Sequence, residues 1–438
     1  MKEVKDVTCC VVDSGLFLPM ALRLAEGFKR TLYWSPDNRS FPSIKQACIG
    51  DGFDTIERVR DFWPHFDEID LFVFPDVGQS YLQRFLIQQG KAVWGSRGND
   101  KWEVDREALM SLLGEIGLEV PKFEVVQGWS NLVEFLKDKT DKYVKISRYR
   151  GDMETQHWRS WVEDQNWLYS LALALGPTKE LFLFLVFDAI DTDIEIGGDT
   201  YCIDGQWPSL MLNGLEWKDK SYFAAVTKRD EMPEQIQEIM NAFGVVLMDT
   251  VLAGDNHRTG GYRNQISFED RVQGDKHYFI DATQRAGMPS SSSQQLLWTN
   301  FPEIIWTGAN GELVDPVPAA QFSIECMITT KTEADQWEAV EIDPDLLPWA
   351  RLSYCCRVGH TYAFPPEEMH RGELGWLVAL GDTPSEALER IKALADLLPD
   401  GLNADVEALA GVIQEIEEGE KQGIPFTSKP IPEPASVL

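Results

Sequence analysis

The chain has 438 residues with 40 Lys and Arg against 71 Asp and Glu, a formal net charge of −31. That balance excludes a general affinity for nucleic acid, whose phosphates need clustered cations, and requires any anionic ligand to be met by a locally basic pocket. Hydrophobic residues at 44% and charged ones at 25% describe a globular protein of two to four domains or subdomains, and no apolar run approaches the roughly 18–20 residues of a membrane span.

The polar start, Met1 to Asp6, leads straight into a strand-like run, so no signal peptide is expected. Cys9-Cys10 and Cys355-Cys356 are vicinal, Cys48, Cys202 and Cys326 stand alone, and none has the spacing of a metal knuckle. Core thiols in a reducing, cytoplasmic setting follow.

In chain order, Thr8 to Asp13 reads as a strand, Ser14-Gly15 as a tight turn and Leu16 to Phe28 as a helix. Strands at 31–34, 71–74 and 92–94 and a helix at 81–89 continue the alternation, which predicts a parallel sheet with helices on both faces. Ligands of such sheets sit beyond the strand C-termini, on Asp13-Ser14-Gly15 and Asp76-Val77-Gly78 here; the GxGxxG fingerprint is absent, so a nicotinamide cofactor is not expected. Helical spacing over 102–116 closes at Gly117, and strands at 123–126 and 143–146 flank a helix at 130–137. A β-rich region follows: a strand at 181–187, an alternating stretch at 193–204 turning at Gly197-Gly198, a helix at 233–243, and strands at 245–252 and 277–280. Ser290 to Ser293 reads as a polar entry turn to a helix from Gln294. Strands at 322–329 and 376–380, a helix at 385–397 capped by Gly381-Asp382-Thr383-Pro384, and an acidic helix at 404–420 complete the elements. The proline-bearing tail from Ile424 is read as extended or disordered. The expected division is 1–97, 98–180, 181–314, 315–398 and 399–438.

The segment from His277 to Pro289 is the most informative one. If its strand persists, Asp281, Thr283 and Arg285 share one face, and an acid, a hydroxyl and a guanidinium suit a metal ion and the phosphates it neutralises. A plain strand end running into a loop explains the same residues. Lys145, inside the strand-like Tyr143-Val144-Lys145-Ile146, is followed by Arg148 and Arg150: an outward-facing lysine, or one that reaches phosphates beneath a basic loop. Arg106 reads either as an exposed helix residue or as a further cation. Asp188 and Glu195 are single acids able to accept from ribose hydroxyls or ligate a metal. Asp255 to Arg258 reads as a loop, and no G-x-S-x-G, Walker lysine or H-E-x-x-H is present.

Five strings in order, GKAVWGSRGNDKWEVDREALMSLLGEIGLEVP, KYVKIS, LFLFLVFDAIDTDIEIGG, YFIDATQRAGMP and GWLVALGDTPSEALERI, resemble the ATP-grasp superfamily, most closely its glycinamide ribonucleotide synthetase (phosphoribosylamine–glycine ligase) branch. The resemblance implies an ATP-grasp fold with an N-terminal Rossmann-like domain and a C-terminal β-containing domain. It implies ATP and Mg²⁺, and ligation of a small-molecule carboxylate to an amine through an acyl phosphate. By resemblance Lys145 and Arg106 contact nucleotide, with Arg148 and Arg150 in the phosphate loop. Phe187 and Asp188 meet adenine and ribose, Asp281 and Thr283 are the magnesium ligands, and Arg285 contacts phosphate or substrate. The sequence departs from the pattern there: Asp281 is a methylene shorter than the family's Glu, and Thr283 offers a hydroxyl for an amide oxygen. Two other readings stay open: a weakened member that binds nucleotide or a partner without turnover, and an acidic interaction protein. The oligomeric state is not legible.

Overall fold

Strand β1 (Thr8–Val12) is buried at every position, as expected of a parallel strand covered on both faces. It belongs to a computed structural model that describes residues 1–37, 47–99, 101–148, 153–192, 195–248, 261–274, 276–330, 336–366 and 372–427. After it come α1 (Leu18–Ala25), β2 (Arg30–Trp34), β3 (Glu57–Val59), β4 (Leu71–Val73), α2 (Ser80–Gln88) and β5 (Ala92–Trp94). The strands form a parallel sheet in the order β3-β2-β1-β4-β5. Cys10, Leu32, Phe72 and Val93 stack across it in one apolar core.

The chain divides into two compact units, Met1–Asn99 with Gly197–Ser267 and Gln284–Leu438, and Asp100–Ile196 with Phe268–Thr283. The second, smaller unit opens with α3 (Lys101–Val104) and α4 (Arg106–Glu115). The single helix expected over 102–116 is broken because Asp105 caps a new one, its carboxylate accepting from the Ala108 N–H at 3.3 Å. There follow β6 (Phe123–Gln127), α5 (Trp129–Leu136), β7 (Lys142–Ile146), β8 (Thr155–Trp158), α6 (Trp161–Leu175) and β9 (Leu183–Asp188). These strands pair antiparallel in the order β6-β9-β7-β8, with Val144, Ile146, Phe184 and Val186 buried beneath α5 and α6.

Next come β10 (Glu195–Ile203), β11 (Leu210–Trp217), β12 (Ser221–Lys228), α7 (Glu234–Leu247), β13 (Arg263–Gln273) and β14 (Lys276–Thr283). The remaining elements are α8 (Ser291–Leu297), α9 (Phe301–Ala309), β15 (Phe322–Thr330), β16 (Glu338–Glu341), β17 (Ala350–Leu352), β18 (Cys356–Val358), β19 (Thr361–Phe364), β20 (Glu373–Gly381), α10 (Pro384–Ala395), β21 (Leu402–Ala404) and α11 (Val412–Lys421). In the larger unit one sheet runs β13-β10-β11-β12-β15-β20-β17 with β21 beside β15, and a smaller one β16-β19-β18. In the smaller unit β14 is the hydrogen-bonded neighbour of β13.

Several local expectations are corrected. Gly197 and Gly198 lie inside β10 rather than at a turn; neither has a positive φ, so the pair is simply extended backbone between two neighbouring strands. Val245 to Leu247, read as the start of a strand, ends α7, whose buried Ile236, Met240, Phe243 and Leu247 keep helical spacing; residues 249–252 lie outside the described set. Ser291 to Ser293 are not an entry turn but the first turn of a helix buried at every position except Leu296. That polar helix is tolerated because several of its groups are matched: the Ser293 N–H donates to Glu325 at 2.6 Å and Ser323 to the Ser293 hydroxyl at 2.8 Å. The acidic helix expected over 404–420 is split into β21, a 3-10 turn and α11. The tail is packed where it begins, with Ile424 and Phe426 in the core.

All seven cysteines are free and buried. Among the described residues no helix is long and apolar enough to cross a membrane.

Candidate functional site

Strand pairing fixes the first candidate side chain of the smaller unit. Lys145 pairs with Thr155 on β8 and Leu185 on β9, and because Val144 and Ile146 take the core face, Lys145 is turned to the other. Arg106 is the first residue of α4, set by the Asp105 cap. Asp281 is carried by β14, which is tied to the chain after α4 by the Phe279 N–H donating to the Glu119 carbonyl at 3.1 Å.

These three residues meet. Lys145 Nζ lies 2.9 Å from Asp281 Oδ2, and Arg106 Nη1 donates to the same oxygen at 2.6 Å. The other arm of the Arg106 guanidinium donates to Glu154 Oε1. Asp281 Oδ1 accepts from the Ala282 N–H at 3.0 Å. The cluster is nearly closed to water, with side-chain exposures of 6% for Arg106, 13% for Asp281 and 14% for Lys145. Burial alone would raise the Asp281 carboxyl, but the adjacent Arg106 and Lys145 charges overcome it and hold the group well below the usual carboxylate range. Arg106 moves the opposite way: burial opposes its charge, while Asp281 and Glu154 push its affinity for the proton still higher. Glu154 was not singled out from sequence. Its signal is an acid nine residues after the strand lysine, which the β7–β8 hairpin folds back so that the Ile146 N–H donates to the Glu154 carbonyl at 3.0 Å.

The other expected residues are engaged elsewhere. Arg148, in the left-handed region at φ 57°, reaches back to Asp105 at 2.5 Å, and Arg150 lies outside the described residues. Asp188 is ion-paired with Lys142 at 2.6 Å. Phe187 is a buried β9 residue in register with Phe123 and Tyr143, its ring 5.4 Å from that of Phe123. Glu195 is held by Arg271 at 2.6 Å. Thr283 is the last residue of β14. The strand stops there, so Arg285 does not continue the Asp281–Thr283 face; in the larger unit its Nε stands 3.6 Å from Asp76. Residues 255–258 lie outside the described set. A second pair missed from sequence is His277 and the buried Asp270, 2.7 Å apart.

In the larger unit the expected ligand edge of the parallel sheet is covered by the chain itself. Asp13 Oδ2 accepts from the Tyr33 hydroxyl at 2.7 Å and from the N–H groups of Gly15 and Phe17 at 2.9 and 3.1 Å, capping the entry to α1. Burial pushes its carboxyl up to about 6 against those hydrogen bonds. Above it the Tyr354 N–H donates to the Gly15 carbonyl at 2.8 Å, and the Ser353 hydroxyl to that of Leu16 at 2.7 Å. Gly15, at φ 122°, has no room for a β-carbon, which would come within 2.6 Å of the Tyr354 ring.

Two buried cations on one carboxylate suit the phosphates of a nucleotide, since each keeps N–H donors beyond those it gives to Asp281 and Glu154. The same geometry does not fit Mg²⁺. The ion would need Asp281, whose charge Arg106 and Lys145 already balance.

No protein-family model matches the chain, and no curated protein does. Solved structures do. Phosphoribosylamine–glycine ligase from Thermotoga maritima aligns over 91% of this chain and 98% of its own, with a TM-score of 0.65 at 14% identity. Biotin carboxylase from Campylobacter jejuni, in an ATP-analogue complex, aligns over 95% and 97% with a TM-score of 0.62 at 13% identity. L-amino acid ligase from Bacillus licheniformis aligns over 90% and 98% with a TM-score of 0.59 at 14% identity. With the parallel sheet, the antiparallel sheets and near-complete coverage in agreement, the chain has the ATP-grasp fold.

Proposed function

We propose that this chain is an ATP-dependent ligase that joins a small-molecule carboxylate to an amine. The observation that carries the reading is the buried meeting of Lys145 and Arg106 on Asp281; two ligases with this fold, one for phosphoribosylamine and glycine and one for L-amino acids, lend it support. In the proposed reaction a carboxylate oxygen bonds to the γ-phosphorus while the bond from that phosphorus to the β-phosphate bridging oxygen breaks, releasing ADP. The amine then bonds to the acyl carbon, phosphate leaves, and the amine gives up a proton. Lys145 and Arg106 would bind the phosphates and oppose the charge that develops on them in a site largely closed to water. Arg285 is retained as a substrate or phosphate contact, Asp188 and Glu195 as ribose contacts, and the five sequence segments as the domain division. A cytoplasmic setting belongs to the same reading.

A second reading is favoured by one observation, the prior neutralisation of Asp281: nucleotide binding without turnover. Both are tested by measuring ADP release with ATP in magnesium buffer against pools of carboxylates and amines, for wild type, Lys145→Ala and Asp281→Ala. Release lost in both variants supports the ligase. Thermal stabilisation by ATP without release supports the second reading, and the absence of either effect sinks both.

A further inference from the structure

We propose that the cluster in the smaller unit takes a nucleoside polyphosphate as the metal-free anion, with the Arg106 guanidinium acting in place of a bridging magnesium ion. The proposal rests on the nucleotide-site reading above and concerns how that ligand is neutralised.

A divalent cation at a phosphate site ordinarily draws together carboxylates from separate elements and offers its remaining positions to phosphate oxygens. Arg106 already performs the first task. One arm of its fork is on Asp281 of β14 and the other on Glu154, in the hairpin before β8. Lys145 adds a second positive charge on the same Asp281 oxygen. The two cations and two carboxylates sum to zero, so a magnesium ion entering beside them would meet no excess negative charge. It could gain Asp281 only by evicting a guanidinium that is 6% exposed and cannot lose its proton. An incoming polyphosphate meets the same zero net charge but, unlike the metal ion, can use the N–H donors that the two cations keep. Lys145 has three N–H donors and gives one to Asp281 and one to the Ile280 carbonyl, and Arg106 has five and gives one from each arm to a carboxylate, so both retain donors for phosphate oxygens. Asp281 is then the anion with which phosphate competes for Arg106 and Lys145, not the ligand of its metal.

The two roles predict opposite signs for one substitution. ATP binding is measured by calorimetry on the full chain in EDTA and in excess Mg²⁺, for wild type and Asp281→Asn, with circular dichroism to confirm folding. The expected results are wild-type affinities within about threefold in EDTA and Mg²⁺, and metal-free binding tightened by about tenfold in Asp281→Asn, a gain typical of removing one competing charge. Wild-type binding that vanishes in EDTA and returns with Mg²⁺ overturns the inference but leaves the nucleotide site standing. Weaker binding by folded Asp281→Asn also overturns it. If that variant does not fold, the wild-type comparison decides. No ATP binding in either buffer overturns the site itself.

Discussion

Lys145 on β7 and Asp281 on β14 are 136 residues apart in the chain and 2.9 Å apart in space, both behind a surface that leaves each less than one-sixth exposed. A pair this dry contributes little net stability when intact, yet leaves an uncompensated charge when one partner is removed.

A double-mutant cycle should therefore be strongly non-additive. Asp281→Asn alone strands Lys145 and leaves Arg106 with Glu154 only, and is expected to destabilise by about 3–5 kcal/mol. Lys145→Met alone should cost less, because Arg106 still neutralises Asp281. The double variant should recover about 1–3 kcal/mol relative to the sum of the singles. Urea unfolding of the four proteins measures the coupling, and additivity within 0.5 kcal/mol, roughly the value for independent sites, would refute it.

Glu325 predicts a pH dependence. Its carboxyl is pushed up to about 8, first by burial, against the hydroxyl and N–H of Ser293 and with the help of the Asp199 charge. A folded value above the ordinary value of 4.5 means that the contribution is fully present below about pH 4.5. It is lost progressively as pH rises through about 8. Glu325→Gln should flatten that decline and exceed wild type in stability at pH 9 by on the order of 2 kcal/mol. Asp13 changes stability with the same sign near pH 6 but cancels in the comparison of the two proteins. Parallel melting curves from pH 5 to 9 would count against a neutral buried Glu325.

Two helix glycines should respond in opposite directions to the same substitution. In α4 nothing lies within 4 Å of a β-carbon built on Gly114, so Gly114→Ala should stabilise by about 0.5–1 kcal/mol. In α7 a β-carbon on Gly244 would stand 2.8 Å from the Gly205 carbonyl and 3.1 Å from Trp207 Nε1. Gly244→Ala should therefore destabilise by about 1–3 kcal/mol despite alanine's better helix propensity. Thermal melts of both variants test the pair; a rise in both would show that the α7 contact yields at no cost.

Arg23 on α1 closes the far end of the buried serine helix. Its Nε donates to the Gln295 carbonyl at 2.8 Å and its Nη2 to those of Trp298 and Thr299 at 3.2 and 3.1 Å. Arg23→Lys keeps the charge but cannot span all three carbonyls, and is expected to cost about 1–2 kcal/mol. A loss no larger than that of an exposed Arg→Lys control would show that water replaces the fork.

The alternating strands and helices of the first hundred residues were legible because parallel strands are continuous apolar runs. Lys145 and Asp281 were legible as anomalies, a cation and an acid in runs of β-formers. Glu154 was not, because its place depends on a hairpin returning and no spacing rule encodes that. Ser290 to Ser293 read as an entry turn because hydrophobic patterning cannot anticipate a polar helix whose partners, Glu325 and Ser323, lie on a strand about thirty residues on. Period two carried beyond Thr283 would put Arg285 on the same strand face, but the hydrogen-bonded strand ends at Thr283.

The loop over Asp13 has a consequence for how the protein can be taken apart. The Ser353 hydroxyl and the Leu16 carbonyl it meets are 337 residues apart in sequence, so during synthesis the parallel sheet waits for a much later stretch of chain to complete its rim. Expressed alone, the N-terminal segment would bare Asp13, Tyr33 and Gly15 to solvent, and it should behave as an unfinished fragment rather than an exchangeable module.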